Sequence, residues 1–265
     1  MKFLIAAMLW FWLVPADSQA QPSAQGWAFD LISGCRVMAS TIASETDNLT
    51  WRGGCKDGQA EGAGTLTFFL HGAPVADASG QWHLGKQSGW GKHTTPNGDS
   101  LEAEFKDGVA NGRGIFRRAD GDRFEGEFKA GKREGHGVYL FADGGRYDGE
   151  FSNDQQSGRG TYAGIDGSVY EGDWLLGKKH GEGVIVRVNG DKYEGHFSND
   201  LLSGYGVLTW ASGSRYEGEF IDSRATGIGT YRYPNGKIYR GIFQSGCAMD
   251  GRRVLAVGVD SGACR

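Results

Sequence analysis

Pairs of carboxylates two residues apart are the commonest candidates for chemistry in this sequence. They occur as Glu102 with Glu104, Glu125 with Glu127, and Glu217 with Glu219. On a β-strand such side chains face the same way about 6.6 Å apart, near the lower end of the roughly 6.5–9.5 Å separation in inverting glycosidases. Catalysis also needs one carboxyl group with a raised pKa in a water-poor cleft. Because these pairs recur without a distinguishing neighbour, the pattern favours a solvated surface over a catalytic site.

Histidines, serines and glycine-rich loops give no stronger candidate. No histidine is spaced with cysteine, aspartate or glutamate as metal ligands usually are. The six lie at His71, His83, His93, His136, His180 and His196. The phrase GVDSG near the C-terminus differs from the G-x-S-x-G element of hydrolases, because its serine is one place late. The sequence therefore predicts a non-enzymatic protein without a metal site or cofactor. A cell-envelope carbohydrate-binding or hydrolase module is the alternative.

The composition indicates a repeat array. The 265 residues include 46 glycines and only 5 prolines, with 12% aromatic residues and a formal net charge of −4. Collagen needs glycine at every third position, and low-complexity linkers contain few aromatic residues. Glycine and aromatic residues at a long fixed period are instead typical of repeat proteins. The mild, interspersed charge lacks the basic stripe of a nucleic-acid binder, so no nucleic-acid partner is predicted.

The first 20 residues have the features of a secretory signal peptide. Lys2 precedes the apolar run FLIAAMLWFWLV, and Pro15 precedes a small-x-small cleavage site ending at Ala20. A membrane anchor is the alternative, but a spanning helix needs about 20 apolar residues. We therefore predict a mature chain that begins at Gln21 and is exported, to the periplasm or outside the cell.

A 23-residue unit repeats without insertion through most of the remaining chain. Seven regular copies start at residues 78, 101, 124, 147, 170, 193 and 216. An irregular copy starts at Trp51, and a partial one starts at Tyr239 and loses register after Cys247. The predicted organisation is therefore an N-terminal cap at 21–50, a repeat array at 51–246 and a C-terminal cap at 247–265.

Each unit has the pattern of one β-hairpin. Unit positions 1, 3 and 5 are usually aromatic, glycine and aromatic, and positions 2 and 4 are polar, which is a period of two. Positions 20 and 21 are usually Asn-Gly or Asp-Gly, pairs that favour tight hairpin turns. The glycines at positions 3 and 14 would give room for neighbouring rings to cover bare backbone. We predict an all-β fold, an elongated antiparallel β-hairpin solenoid made of a single twisted sheet.

The unit resembles the MORN repeat, whose signature is Tyr-x-Gly-x-Phe followed by Gly-x-x-x-Gly-x-Gly. The segments YEGDWLLGKKHGEG at 170–183 and FEGEFKAGKREGHG at 124–137 match it. Ala78 and Leu101 depart from it at the first aromatic position, and Asp154, Asp200 and Ser223 at the position-8 glycine, so those turns are expected to differ. The resemblance implies an elongated, twisted antiparallel sheet used for protein association and sometimes for binding anionic lipid.

Four cysteines, Cys35, Cys55, Cys247 and Cys264, permit three disulfide connectivities. Nine hairpins at about 4.8 Å per strand form an array on the order of 85 Å long. Bonded cysteines need Cα atoms within about 7 Å, so end-to-end bridges are excluded unless the array closes into a ring. We predict Cys35–Cys55 and Cys247–Cys264 bridges that staple the two ends.

Acidic residues at position 2 of successive units form the candidate interaction face. They are Glu102, Glu125, Asp148, Glu171, Glu194 and Glu217. A repeated polar face suits an extended protein partner, so an interaction scaffold is predicted, with a homo-oligomer left open. Basic residues recur in alternate hairpin loops, at Lys86, Lys132 with Arg133, and Lys178 with Lys179. Anionic lipid needs clustered cations, and the acidic face disfavours it. Solubility of the turns is the preferred account of these loop cations.

Overall fold

The computed structural model describes residues 26–30, 32–39 and 48–264. The predicted signal peptide at 1–20 lies outside the described residues, as does part of the predicted N-terminal cap. The described part contains β-strands and a short 3-10 helix at Ser261–Ala263. The strands are β1 (Gly26–Phe29), β2 (Arg36–Ala39), β3 (Asn48–Lys56), β4 (Gln59–Leu70), β5 (Ala73–His83), β6 (Lys86–Thr94), β7 (Ser100–Lys106), β8 (Val109–Arg117), β9 (Arg123–Lys129), β10 (Lys132–Leu140), β11 (Arg146–Ser152), β12 (Gln155–Ala163), β13 (Val169–Leu175), β14 (Lys178–Val186), β15 (Lys192–Ser198), β16 (Leu201–Thr209), β17 (Arg215–Ile221), β18 (Arg224–Arg232), β19 (Ile238–Phe243), β20 (Cys247–Asp250) and β21 (Arg253–Ala256).

Strands β3 to β19 pair in chain order, each antiparallel to the next, in one long sheet. The β1–β2 hairpin joins this sheet through a single parallel bridge between Arg36 and Gln59. Strands β20 and β21 form a separate antiparallel pair. The predicted antiparallel hairpin array is confirmed.

Two kinds of hairpin turn alternate along the sheet, and the tighter kind is not where the sequence predicted it. Two-residue turns lie at unit positions 7 and 8, where Asp107 and Gly108 have φ of 52° and 83°. At the Asn-Gly pair of 97–98 only the glycine is left-handed, with φ of 93°. That glycine closes a wider loop, in which its N–H donates to the Thr95 carbonyl at 2.9 Å. Doubly left-handed turns match the twist of the flanking strands, which favours them despite poor residue preference.

The three turns without a position-8 glycine keep the geometry of the others, contrary to expectation. Asp154, Asp200 and Ser223 have φ of 72°, 71° and 64°. Their side-chain oxygens accept the backbone N–H of a residue in the preceding hairpin at 2.9, 3.0 and 3.0 Å. The residues that donate are Arg133, Lys179 and Leu202. An added hydrogen bond between hairpins therefore offsets the cost of a left-handed non-glycine residue.

Paired glycines leave the backbone bare where an aromatic ring lies across it. Gly172 on β13 is directly opposite Gly183 on β14. A Cβ on Gly172 would lie 2.5 Å from the Tyr170 hydroxyl oxygen, and one on Gly183 would lie 2.6 Å from Tyr170 Cε2. Real Cβ atoms are not found that close to other heavy atoms, so these positions need glycine. The prediction that rings cover the position-3 and position-14 glycines is confirmed.

The hydroxyl of the same tyrosine bonds the backbone where the strand pairing is irregular. The register of β13 against β14 shifts between Gly172 and Asp173. The Tyr170 hydroxyl donates to the Asp173 carbonyl at 2.9 Å. Tyr147, Tyr193 and Tyr216 donate to the carbonyl three residues later in the same way. A β-bulge disrupts the ladder locally, so the tyrosine supplies a hydrogen bond that phenylalanine could not.

The rings of positions 1 and 5 form a continuous edge-to-face ladder along one side of the sheet, here called the aromatic face. Phe197 stands 5.2 Å from Tyr193 and 5.0 Å from Tyr170 between ring centroids. Each position-1 ring contacts a position-5 ring in its own unit and another in the next unit, as Tyr193 contacts Phe197 and Phe220. Most of these rings are less than one tenth exposed. The ladder is therefore the core that joins the hairpins.

In one of the two units that lack the first aromatic, a glutamine takes the place of the ring. In the unit that begins at Ala78, Gln87 is 2% exposed, and a Cβ on Gly91 would lie 2.9 Å from its Cδ. Its Nε2 donates to the Ser79 carbonyl at 2.9 Å, and its Oε1 lies 2.6 Å from His93 Nε2. Burial lowers the pKa of His93 to about 4. His93 is therefore a neutral packing residue.

Both ends of the array carry the predicted disulfide. Cys35 is bonded to Cys55, and Cys247 to Cys264, with Cα–Cα distances of 5.9 and 5.5 Å. The terminal segments cross the row of two-residue turns: Met38 N–H donates to the Gly85 carbonyl, and Val257 N–H to the Gly246 carbonyl. The predicted pairing and the disulfide-stapled ends are confirmed.

Candidate functional site

The predicted interaction residues lie on the face opposite the rings, here called the charged face. Because side chains alternate along a strand, positions 2 and 4 point away from the buried rings at positions 1 and 5. All six position-2 carboxylates are exposed or half-buried. The regular pairing of β7 to β19 places them in successive hairpins at the same height along the strands. The structure therefore brings them into one row, as predicted from the repeat.

Most of these carboxylates are ion-paired within the sheet. Asp148, Glu194 and Glu217 are each bonded to the basic residue two places earlier, at 2.5, 2.9 and 2.5 Å. Glu125 is paired with Arg123 in the same way, and Glu102 with Lys92 on the neighbouring strand at 3.0 Å. These pairs with neighbouring cations were not predicted from the sequence. The sequence feature that indicates these pairs is the basic residue at position 23 of several units, two places before the next carboxylate.

Glu171 differs from Glu125, Asp148, Glu194 and Glu217 because Val169 stands where those four have arginine or lysine two places earlier. Glu102, which follows Ser100, is paired from the neighbouring strand instead. No ion pair of Glu171 occurs within the described residues. It borders a shallow depression of about 280 Å³ on the charged face, shared with His136, Asp148 and Arg159. All three of those side chains are already engaged, since His136 Nε2 lies 3.0 Å from Asp148 Oδ1 and Arg159 Nε lies 2.9 Å from Asp173 Oδ1. The depression is therefore the place on the row where a carboxylate is free for another molecule.

The carboxylates do not have the properties of a hydrolytic pair. A hydrogen bond from Lys92 lowers the pKa of Glu102, and hydrogen bonds from Tyr205 and Arg215 lower that of Glu217. A general acid needs the opposite shift. The depression beside Glu171 is open to solvent instead of forming a water-poor cleft. The geometry therefore gives no support to the carbohydrate-hydrolase alternative.

Exposed apolar side chains on the charged face were not predicted. Trp90, Tyr205 and Ile228 occupy position 13 of three units and are 57%, 50% and 80% exposed. Other units have arginine, histidine or glutamate at this position. The signal was an apolar residue where the repeat is otherwise charged. These side chains give the face local apolar contact points between the ion pairs.

Two of the alternating loop cations turn towards the aromatic face. The Arg133 guanidinium lies 5.3–5.6 Å from the ring centroids of Phe124, Tyr139 and Phe151, and its Nε is 3.3 Å from Asp154 Oδ1. Lys179 similarly lies over Tyr170 at 5.5 Å and 3.9 Å from Asp200. Each cation thus stands one hairpin before an aspartate at position 8. Ion pairs between turns explain part of the two-unit period, and these two cations are already engaged within the fold.

Burial raises the pKa values of the ring-ladder tyrosines, which predicts alkaline unfolding. The pKa of Tyr216 is raised to about 12, and those of Tyr147, Tyr170 and Tyr193 are also raised. An unfolded tyrosine has a pKa near 10. Stability from the protonated rings is fully present below about pH 10 and is lost as pH rises through the folded values. We expect the free energy of unfolding, from denaturant titrations, to fall steeply above about pH 10. Tyr193→Phe should reduce the slope, and a flat profile would contradict the assignment.

Within the described ranges, no group of three or more histidine, cysteine, aspartate or glutamate side chains is arranged to hold a metal ion. The same residues include no helix with the length and apolarity to span a bilayer.

Comparison with known proteins identifies the repeat. No curated protein sequence matches the chain. Among solved structures, the SAS-4 (dCPAP) TCP domain of Drosophila melanogaster, in complex with a proline-rich motif of Ana2 (dSTIL), is 15% identical with a TM-score of 0.38, covering 59% of this chain and 85% of that one. The TCP10 domain of Danio rerio CPAP is 14% identical with a TM-score of 0.34, covering 68% and 89%. Virginiamycin B lyase from Staphylococcus aureus is 10% identical with a TM-score of 0.16, covering 80% and 97%. Similarities at these TM-scores carry no argument about fold or function.

The family model of the MORN repeat matches seven consecutive segments, at residues 79–100, 102–123, 124–146, 147–169, 170–192, 193–215 and 216–238. Together they cover more than half of the chain and coincide with the hairpins from β5 to the start of β19. MORN repeats form non-catalytic scaffolds that commonly mediate interactions with proteins or lipids. The chain belongs to the MORN repeat family.

Proposed function

We propose that this protein is an exported, non-enzymatic scaffold that binds an extended protein partner along its charged face. The observation that carries the proposal is the row of position-2 carboxylates, repeated every 23 residues and interrupted by exposed position-13 side chains. A long sheet face with many equivalent polar positions suits an extended segment better than a small substrate.

Protein is favoured over membrane lipid as the partner. Anionic headgroups need clustered, available cations. Arg133 and Lys179 are held by Asp154 and Asp200, and the cations on the charged face stand beside carboxylates.

Export is supported by the charged and apolar N-terminal sequence and by the four cysteines. Both disulfides are consistent with an oxidising compartment, the periplasm or the outside of the cell. Cleavage after Ala20 would leave a chain beginning at Gln21, which the intact mass of the secreted protein tests.

Charge reversal on the row tests the binding face. Surface charges act over about 8 Å at physiological salt and mainly affect the association rate. We expect Glu125→Lys, Glu171→Lys and Glu217→Lys together to slow association with a partner purified from the native envelope. Glu125 and Glu217 are ion-paired within the sheet, whereas Glu171 has no ion pair among the described residues. We therefore expect Glu171→Lys to account for most of the change in association rate. Rates are measured by surface plasmon resonance at two salt concentrations.

The matched control carries the same charge change away from the row, at Asp57, Asp222 and Asp260, all exposed. We expect this control to associate at nearly the unchanged rate. An unchanged rate for the first variant, with self-association instead, would mean that the carboxylates only keep the sheet soluble.

A further inference from the structure

The last strand of the sheet, β19, has one edge without a partner strand. It pairs with β18 from Ile238 to Phe243, and no described residue pairs along its other edge. In every other unit the second strand of the hairpin fills that edge. Here the chain turns at Ser245 and Gly246, makes one bridge between Gln244 and Cys247, and then pairs β20 with β21 instead. Side chains of β20 reach the start of β19, where Asp250 Oδ2 lies 2.6 Å from Lys237 Nζ. The backbone groups along this edge of β19 nevertheless have no ladder partner among the described residues.

The ring of Tyr239 extends over this edge. In the preceding unit Tyr216 covers both Gly218 on its own strand and Gly229 on the next, and it is 0% exposed. Tyr239 covers Gly241, since a Cβ on Gly241 would lie 2.8 Å from Tyr239 Cε1. No following strand of the described chain supplies a second glycine for the ring to cover. Tyr239 is accordingly half-buried, and its hydroxyl makes no hydrogen bond within the described residues. The ring is placed to cover a small residue of an added strand.

The charge at the edge is reversed relative to the rest of the row. Position 2 is acidic from Glu102 to Glu217, whereas β19 has the exposed Arg240 there. Arg240 makes no ion pair with any residue that the structure describes. Exposed isoleucines lie near it: Ile238 and Ile242 on the same strand are 44% and 62% exposed, and Ile228, the cross-strand partner of Ile242, is 80% exposed. An exposed apolar strand edge with one unpaired cation is suited to pairing with another chain.

We propose that β19 binds an extended segment of another protein as an added antiparallel strand, with the motif glycine, acidic residue, apolar residue. The register follows the β17–β18 pair, in which Gly218, Glu217 and Tyr216 face Gly229, Thr230 and Tyr231. The glycine would lie opposite Gly241 beneath the Tyr239 ring, the acidic residue opposite Arg240, and the apolar residue opposite Tyr239. Main-chain hydrogen bonds provide affinity in such strand addition, and side chains provide specificity. This inference deepens the proposed function by naming a partner segment and its site.

A second copy of this chain does not offer the required segment. The Gly-x-apolar strands of the repeats, the even-numbered strands from β4 to β18, are paired on both edges. A partner strand must therefore come from a different molecule or from a segment outside the sheet.

Peptides based on the β18 sequence test the proposal. The probe is residues 227–233 of this chain with Thr230→Asp and blocked ends. The steric control adds Gly229→Val, because a Cβ at that glycine would lie 2.5 Å from the covering tyrosine's Cε2 in the parent hairpin. Binding to the disulfide-bonded mature protein is followed by NMR titration. We expect amide shifts confined to β19 and no saturable binding of the valine peptide.

A charge swap gives the second measurement. Opposite charges across strands attract and like charges repel, so Arg240→Glu should weaken binding of the Thr230→Asp peptide about tenfold. A peptide with Thr230→Lys should bind Arg240→Glu better than it binds the unchanged protein. Arg113→Glu makes the same charge change on the exposed part of β8 and should bind as the unchanged protein does.

Three results would overturn the inference: shifts outside β19, equal binding of the valine peptide, or equal affinities for Arg240→Glu and the unchanged protein. A dimer formed through β19, with no peptide bound, would also overturn it by making a second copy the occupant. The variant reversed at Glu125, Glu171 and Glu217 should retain peptide binding. The two proposals can fail separately. If this variant associates more slowly with the partner but the peptide does not bind at β19 of the unchanged protein, the scaffold proposal stands and the strand-addition proposal is rejected.

Discussion

Phe197→Ala is expected to lower the free energy of unfolding by about 3 to 5 kcal/mol, the usual cost of deleting a buried phenylalanine ring. Phe197 is 4% exposed and stands edge-to-face with Tyr193 of its own unit and Tyr170 of the preceding one. Its loss would open a cavity between two hairpins, and a single sheet has no second layer to collapse into it. The measurement is a denaturant titration of the disulfide-bonded protein.

Glu194→Ala on the same strand of the same unit is the matched control. Glu194 is exposed, and its pair with Lys192 at 2.9 Å is of the solvent-exposed kind that contributes about 1 kcal/mol or less. We expect a change of about 0.5 kcal/mol or less for this variant. Equal losses for the two variants would mean that the ring ladder is not the core of the array.

Replacing Cys247 and Cys264 by alanine is expected to destabilise the C-terminal end by about 3 kcal/mol, the chain-entropy value for a loop of this size. The bridge spans 17 residues and encloses the β20–β21 hairpin. Leu255 and Val257 of the cap are 3% and 0% exposed and pack with Phe243 in the core cluster. Freeing the segment should expose the last rings of the ladder. Hydrogen exchange should then show lost protection from β18 to β21.

The matching variant at the other end replaces Cys35 and Cys55. Repeat arrays couple mainly between neighbouring units, so each variant should lose protection only near its own end, with the middle hairpins β9 to β14 unchanged. Loss of protection throughout the sheet in either variant would contradict this local account.

The C-terminal variant also affects the proposed edge. β19 leads directly into the bridged segment through Gln244 and Cys247, so release of the cap would change what surrounds Tyr239. The peptide experiments at β19 therefore use the protein with both disulfides intact.

The candidate site was only partly predictable from sequence. The row of carboxylates from Glu102 to Glu217 follows from the 23-residue period and strand alternation. The cations beside them were visible as residues, but strand pairing decides that Lys92 contacts Glu102. The availability of Glu171 depends on one residue, Val169. Its importance appears only when the arginine or lysine at the same position of four other units is seen paired with the carboxylate two places later. Which charges remain free for a partner is a property of the assembled face.

The sequence by itself determined the hairpin array, the aromatic face and the disulfide pairing. Period-two alternation specifies strands, and each pair of glycines leaves room for one ring. The sequence of each unit therefore specifies how that unit packs. The expected length of an open array separated the two cysteine pairs. These properties depend on residues within one unit or on the number of units, so they can be predicted from the repeated sequence.

Only the tertiary structure decided the turn types, the direction of the loop cations and the open edge. The two-residue turns take left-handed Ala130 and Leu176 at φ of 50° and 51°, because strand twist outweighs residue preference there. Arg133 turns to the rings because Asp154, 21 residues later, lies in the adjacent turn. The edge at β19 is open because the segment after Gly246 packs Leu255 and Val257 against the rings, where burial of apolar surface competes with completing one more hairpin. Such outcomes depend on contacts between units, and the pattern of a single unit does not contain them.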